Sequence, residues 1–109
     1  MDIIRSGNTV EISGITADWK WSDTFNEKQF ETGVNINFVQ FNPNAATDVC
    51  VIKEGSDVGP IIFKAVSGPD STVPSRAYFY GVKRRPVLDF SAGTFNASAS
   101  LIIDLIDIW

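Results

Sequence analysis

The chain has 109 residues, 44% of them hydrophobic and 20% charged, which suits one compact domain over 1–109 and leaves no room for a second. Nine Lys and Arg against thirteen Asp and Glu give a net charge of −4, so the protein as a whole repels nucleic acid and anionic lipid. With no histidine and a single cysteine, neither a Ser/His/Asp or Cys/His nucleophile system nor the usual His and Cys zinc sites can be assembled, and no cofactor is implied.

The segment Met1 to Gly7 lacks a basic stretch followed by an apolar one, so no secretory signal is expected. No apolar run approaches the roughly 18 residues of a membrane span. From Thr9 onward, short runs rich in Val, Ile, Phe, Tyr and Thr alternate with turn residues, the pattern of many brief strands. Thr9 to Ile12 places Val10 and Ile12 on one face, and Asp18 to Ser22 does the same for Trp19 and Trp21. Thr24 followed three residues later by Glu27 resembles a capping box and predicts a short helix that Gly33 would end. Gly33 to Phe41 predicts a strand with Val34, Ile36 and Phe38 sharing a face.

Val49 to Lys53 and Ile61 to Val66 read as antiparallel partners joined by a tight reversal through Glu54 to Pro60. Cys50 lies within the first of these and is expected in the core. Ser67 to Ser75, with two prolines, predicts an exposed loop. Ala77 to Val82 then puts Tyr78 and Tyr80 on one face and Phe79 on the other, and Val87 to Phe90 is a short strand. In the last strand, from Thr94, Ala97, Ala99, Leu101, Ile103 and Leu105 alternate with Ser98, Ser100, Ile102, Asp104 and Ile106. Seven or eight strands cannot hide their apolar faces in one flat sheet. The expected fold is therefore all-β, a single antiparallel β-sandwich with Greek-key or jelly-roll wiring.

Four features are candidates for function. Trp19 and Trp21, with Tyr78 and Tyr80 as possible neighbours, are either core, part of an interface, or a platform for stacking sugar rings. Lys83, Arg84 and Arg85 form a basic triplet ahead of Pro86, expected as a solvated turn or as a salt-bridging patch for a neighbouring subunit. Scattered carboxylates such as Asp18, Asp23, Asp104 and Asp107 show no spacing suited to calcium or to glycoside hydrolysis and are expected on solvent faces. Finally, seven of the nine residues from Leu101 to Trp109 are large and apolar. Leu105, Ile106, Ile108 and Trp109 must be covered by the second sheet or by another subunit, and the terminal Trp favours the subunit.

Trp19-Lys20-Trp21-Ser22-Asp23, the run from Gly33 to Pro43, Asp48 to Glu54 and Gly59-Pro60-Ile61-Ile62 together resemble the small β-sandwich accessory proteins of tailed-phage virions. The resemblance spans residues 19–90. It implies a non-enzymatic structural role in the virion, such as capsid decoration or a neck or tail piece, acting in repeated copies. Its expected partners are other copies of the chain, a larger protein assembly such as a capsid, or both, without direct contact to nucleic acid or membrane.

Overall fold

A computed structural model describes residues 1–24, 33–45, 47–67, 73–93 and 98–107. Nine strands appear among them: β1 (Asp2–Ser6), β2 (Thr9–Ser13), β3 (Trp19–Lys20), β4 (Val34–Asn42), β5 (Val49–Glu54), β6 (Ile61–Val66), β7 (Ser75–Arg84), β8 (Pro86–Leu88) and β9 (Ser100–Asp107). They form a five-stranded sheet in the order β1-β2-β9-β4-β7 and a four-stranded sheet in the order β3-β8-β5-β6, with every pairing antiparallel. The expected β-sandwich is present. Strands β2 to β9 alternate between the sheets as 2-9-4-7 over 3-8-5-6, which is jelly-roll wiring, and β1 is added by a hairpin.

Four of the six connections between the sheets join strands at equivalent positions, β2 to β3, β4 to β5, β6 to β7 and β8 to β9, while β3 to β4 and β7 to β8 cross to a different position. The sheets therefore stack in matching order, with β1, β2 and β3 along one side of the sandwich and β6 and β7 along the other. Between them lies a core built largely from alternate residues of the strands other than β1, among them Val10, Ile12, Trp19, Val34, Ile36, Phe41, Cys50, Ile52, Leu88, Leu101 and Ile103. Cys50 is wholly buried, as its apolar surroundings in sequence suggest.

The reversal between β5 and β6 follows from two close approaches. Gly59 N–H donates to Ser56 O at 3.1 Å, and Glu54 N–H donates to Pro60 O at 2.9 Å. A Cβ on Gly59 would sit 1.9 Å from the Glu54 carbonyl oxygen, so only glycine fits there.

Two expectations change. The face assignment in β4 holds for Val34 and Ile36 but not for Phe38: an irregularity at Asn37 shifts the phase, so Val39 and Phe41 turn inward and Phe38 turns out. Trp21 leaves the strand for a 3-10 turn over Trp21–Asp23, so it does not continue the alternation of Trp19. Two carboxylates that the sequence did not single out, Asp48 and Asp89, are buried, while Asp18 and Asp23 are exposed as expected. Asp48 Oδ2 accepts from the N–H groups of Asn44 and Ala45, closing the turn ahead of β5. The short helix expected after Thr24 lies outside the described residues.

Candidate functional site

The outer face of the five-stranded sheet carries the most unusual surface in the molecule. Between the pairs Ile36/Val82 and Phe38/Tyr78, β4 contributes only Asn37 while β7 contributes Phe79, Tyr80 and Gly81. At the same level β9 carries an unmatched Ile106 between its pairings with Asn35 and Ile36. Bulges in three adjacent strands thus coincide. In β7 the extra residues are accommodated by left-handed backbone at Tyr80 (φ 53°) and Gly81 (φ 82°). For Gly81 this is easy; for Tyr80 it carries strain, which the surrounding strands hold in place.

The bulge lifts Tyr80 until it is 83% exposed, while Tyr78 is 51% and Ile106 49% exposed. Ile106 lies over Gly81, its Cδ1 3.4 Å from where a β-carbon would stand. The rings form a ladder: Tyr78 stacks near Tyr80 with centroids 6.1 Å apart and planes at 28°, and meets Phe38 edge-on at 5.9 Å. The Arg76 guanidinium caps this ladder 4.0 Å above the Phe38 ring.

A hydrogen-bond chain fixes these side chains. Arg76 donates from Nη1 to the Tyr78 hydroxyl (3.0 Å) and from Nε to Gln40 Oε1 (2.8 Å). Gln40 donates to Asn42 Oδ1 (2.7 Å), and Asn42 to Ser100 Oγ (3.1 Å). Beside it, Asp104 accepts from Thr9 Oγ1 (2.6 Å) and Asn37 Nδ2 (2.9 Å). The face is apolar at its centre and polar around it.

The residues singled out from sequence fall elsewhere for the most part. Trp19 is 1% exposed in the core, with its indole N–H donated to Thr24 Oγ1 at 3.0 Å, so it offers no free ring face to a sugar. Trp21 is half-buried against the same core. Tyr78 and Tyr80 belong to the other sheet and are not their neighbours. Leu105 points into the core, contrary to its expected interface role, because the alternation of β9 puts it beside Ile36; only Ile106 of that pair is available outside. Ile108 and Trp109 lie outside the described residues.

The basic triplet is not a solvated turn. Lys83 and Arg84 extend β7, and Arg85 is the link to β8. Arg85 is engaged within the chain: its backbone N–H donates to the Glu54 carboxylate at 3.0 Å and its Nε does so at 3.2 Å. Adjacency of β5 and β8 brings these partners together from 31 positions apart. Phe38, Gln40 and Arg76 were not anticipated as members of a site. Gly81 inside a strand-like run is the signal that could have found them, because an interior glycine marks a bulge.

A second feature is an open cavity of about 410 Å³ on the β3 side, lined by Asp18, Trp19, Lys20, Asp23, Val87 and the reversal Gly55-Ser56-Asp57. Asp18 accepts from Phe90 N–H at 2.7 Å, and Asp23 from Lys20 N–H at 3.2 Å, so two of its three carboxylates hold local structure. Among the described residues, no group of three or more His, Cys, Asp or Glu is placed to hold a metal ion, and no helix is long and apolar enough to cross a membrane. Burial pushes the Cys50 thiol up to about 12, which leaves it un-ionised at neutral pH and a poor nucleophile.

Fold and surface together define a jelly-roll β-sandwich with an exposed aromatic face on its larger sheet. Set against known protein families, curated proteins and solved structures, the chain matches none of them.

Proposed function

We propose that this chain is a non-enzymatic structural protein that works by self-association, with the Phe38, Tyr78, Tyr80 and Ile106 face as its contact surface. The ring ladder carries the reading: two exposed tyrosines, one held on strained backbone, stand in a fixed array where solvent exposure alone gives them no purpose. Tyr and Arg are the residues that protein interfaces favour, and a surface already ordered by hydrogen bonds loses little entropy on docking. Burial of that surface supplies about 25 cal/mol per Å².

The resemblance to tailed-phage accessory proteins narrows the reading to a virion component, such as a capsid-decoration piece, present in repeated copies. Jelly-roll wiring is used by viral capsid proteins but also by lectins and cupins, so it is compatible with this without selecting it. The carbohydrate-binding alternative loses the tryptophan platform, since Trp19 is buried and Trp21 is packed beside it.

Light scattering across a concentration series tests the proposal. The expected result is a mass that rises above the 12.0 kDa of one chain and returns to it in Tyr80→Asp. A mass of one chain throughout, unchanged by that substitution, would overturn it.

A further inference from the structure

Charge is unevenly distributed over the sandwich. Strands β6 and β7, which form one side, carry Lys64, Arg76, Lys83 and Arg84 and no carboxylate, although acids outnumber bases by four in the whole chain. The opposite side, built on β1, β2 and β3, exposes Asp2, Glu11, Asp18 and Asp23 against Arg5 and Lys20. Asp18 and Asp23 share the rim of the 410 Å³ cavity with Asp57, which is also exposed.

We infer that the partner of the aromatic face is a second copy of this chain docked head to tail, with the β7 side of one copy against the Asp18, Asp23 and Asp57 side of the next. This rests on the self-association proposed above and adds the direction of contact. Complementary charge favours that direction, because Arg76 and Lys83 flank the rings while the opposite side is rich in carboxylates. The two-fold alternative, β7 paired antiparallel with β7 about Tyr80, sets Tyr80 against its own copy and brings no carboxylate of β7 to face Arg76 or Lys83. It also places the left-handed Tyr80 and Gly81 at its centre, where the ladder would need regular backbone. In the head-to-tail arrangement every pair keeps one free basic side and one free acidic side, so growth continues until a ring closes or a filament extends.

Sedimentation velocity on the full chain, at about 100 μM and at low salt, separates the possibilities. Two variants are needed. Tyr80→Asp damages the aromatic side with a residue that tolerates left-handed backbone. Asp23→Lys combined with Asp57→Lys reverses charge on the other side at two exposed positions. A cooperative thermal melt for each variant establishes that it is folded.

The expected result is a wild-type series of masses extending beyond the dimer, each variant alone sedimenting as one chain, and an equimolar mixture forming a pair of twice that mass and nothing larger. A wild type that stops at the dimer and ignores the acid reversal overturns the head-to-tail contact while leaving the aromatic face as the surface of self-association. Association that survives Tyr80→Asp overturns the role of the face itself, and a wild type that remains one chain overturns both.

Discussion

The two outer faces of this sandwich solve the same problem in opposite ways. On the four-stranded sheet, Val51 and Val87 point away from the core, yet both are buried. The β5–β6 reversal and the chain around Asp89 close over that face: Lys53 Nζ bridges Asp89 Oδ2 at 2.7 Å and donates to Asp57 O at 2.9 Å, while Asp89 Oδ1 accepts from Ser91 and Ala92. On the five-stranded sheet, nothing among the described residues covers Tyr78, Tyr80 or Ile106 in the same way. One face is covered over Val51 and Val87 by the chain's own loops; over the other no described residue does the same. Apolar side chains pointing outward from a sheet therefore mark an interface only after the molecule's own segments have been considered.

The contrast can be tested from its largest effect downward. Replacing Lys53 with Met should strand the Asp89 carboxylate inside the sealed face and cost about 3 kcal/mol, read as a lower urea midpoint. A loss below about 1 kcal/mol would show that the pair does not close that face. The same pair governs the acid limb of stability. The Lys53 ammonium, then the Ser91 hydroxyl, hold Asp89 below its ordinary 3.8 against the opposing effect of burial. Because the folded-state value lies under the unfolded one, this stabilisation is complete above that ordinary value and fades as pH falls through the lower one. Urea midpoints taken from about pH 7 down to about pH 2 should drop on the acid side in the wild type and drop less in Lys53→Met.

The open face should respond weakly in stability and strongly in association. Arg76→Ala removes a ring contact and two hydrogen bonds at the surface, and should cost less than about 1 kcal/mol while weakening self-association several-fold. Tyr80→Gly relieves the left-handed strain and should leave the melting temperature level or raise stability by about 0.5 kcal/mol, yet abolish association. A marked loss of stability in Tyr80→Gly would mean that the ring serves the fold, and the distinction between the faces would fail.

Much of the fold was legible in local pattern. Ile61–Val66 is a strand over the residues expected, and Ala99, Leu101, Ile103 and Leu105 face inward as their alternation requires. Period-two alternation depends only on backbone pleat, so it survives wherever pairing is regular. It failed at Phe38 because one extra residue inverts every side chain beyond it, and a bulge leaves no mark in the residues of β4 itself. Strand β1 went unassigned because Ile3 and Ile4 are adjacent and break alternation. The roles of Lys53, Asp89, Glu54 and Arg85 were hidden for another reason: each pair is more than thirty positions apart, and the β5–β8 adjacency that unites them belongs to topology. The aromatic face was half visible, in Tyr78 and Tyr80, but these were grouped with Trp19 and Trp21, and Trp19 lies in the other sheet.

The position of β9 has a consequence for how the protein is made. It lies between β2 and β4, so until it arrives the larger sheet exists only as two separate pieces, β1-β2 and β4-β7. Filling that gap requires pairing across a long separation, since Thr9 meets Asp104 from 95 positions away. Such high contact order makes closure slow, and the half-built sheet offers two raw strand edges to any neighbour while it waits. A folding chain of this protein is thus most open to misassociation before β9 docks between β2 and β4.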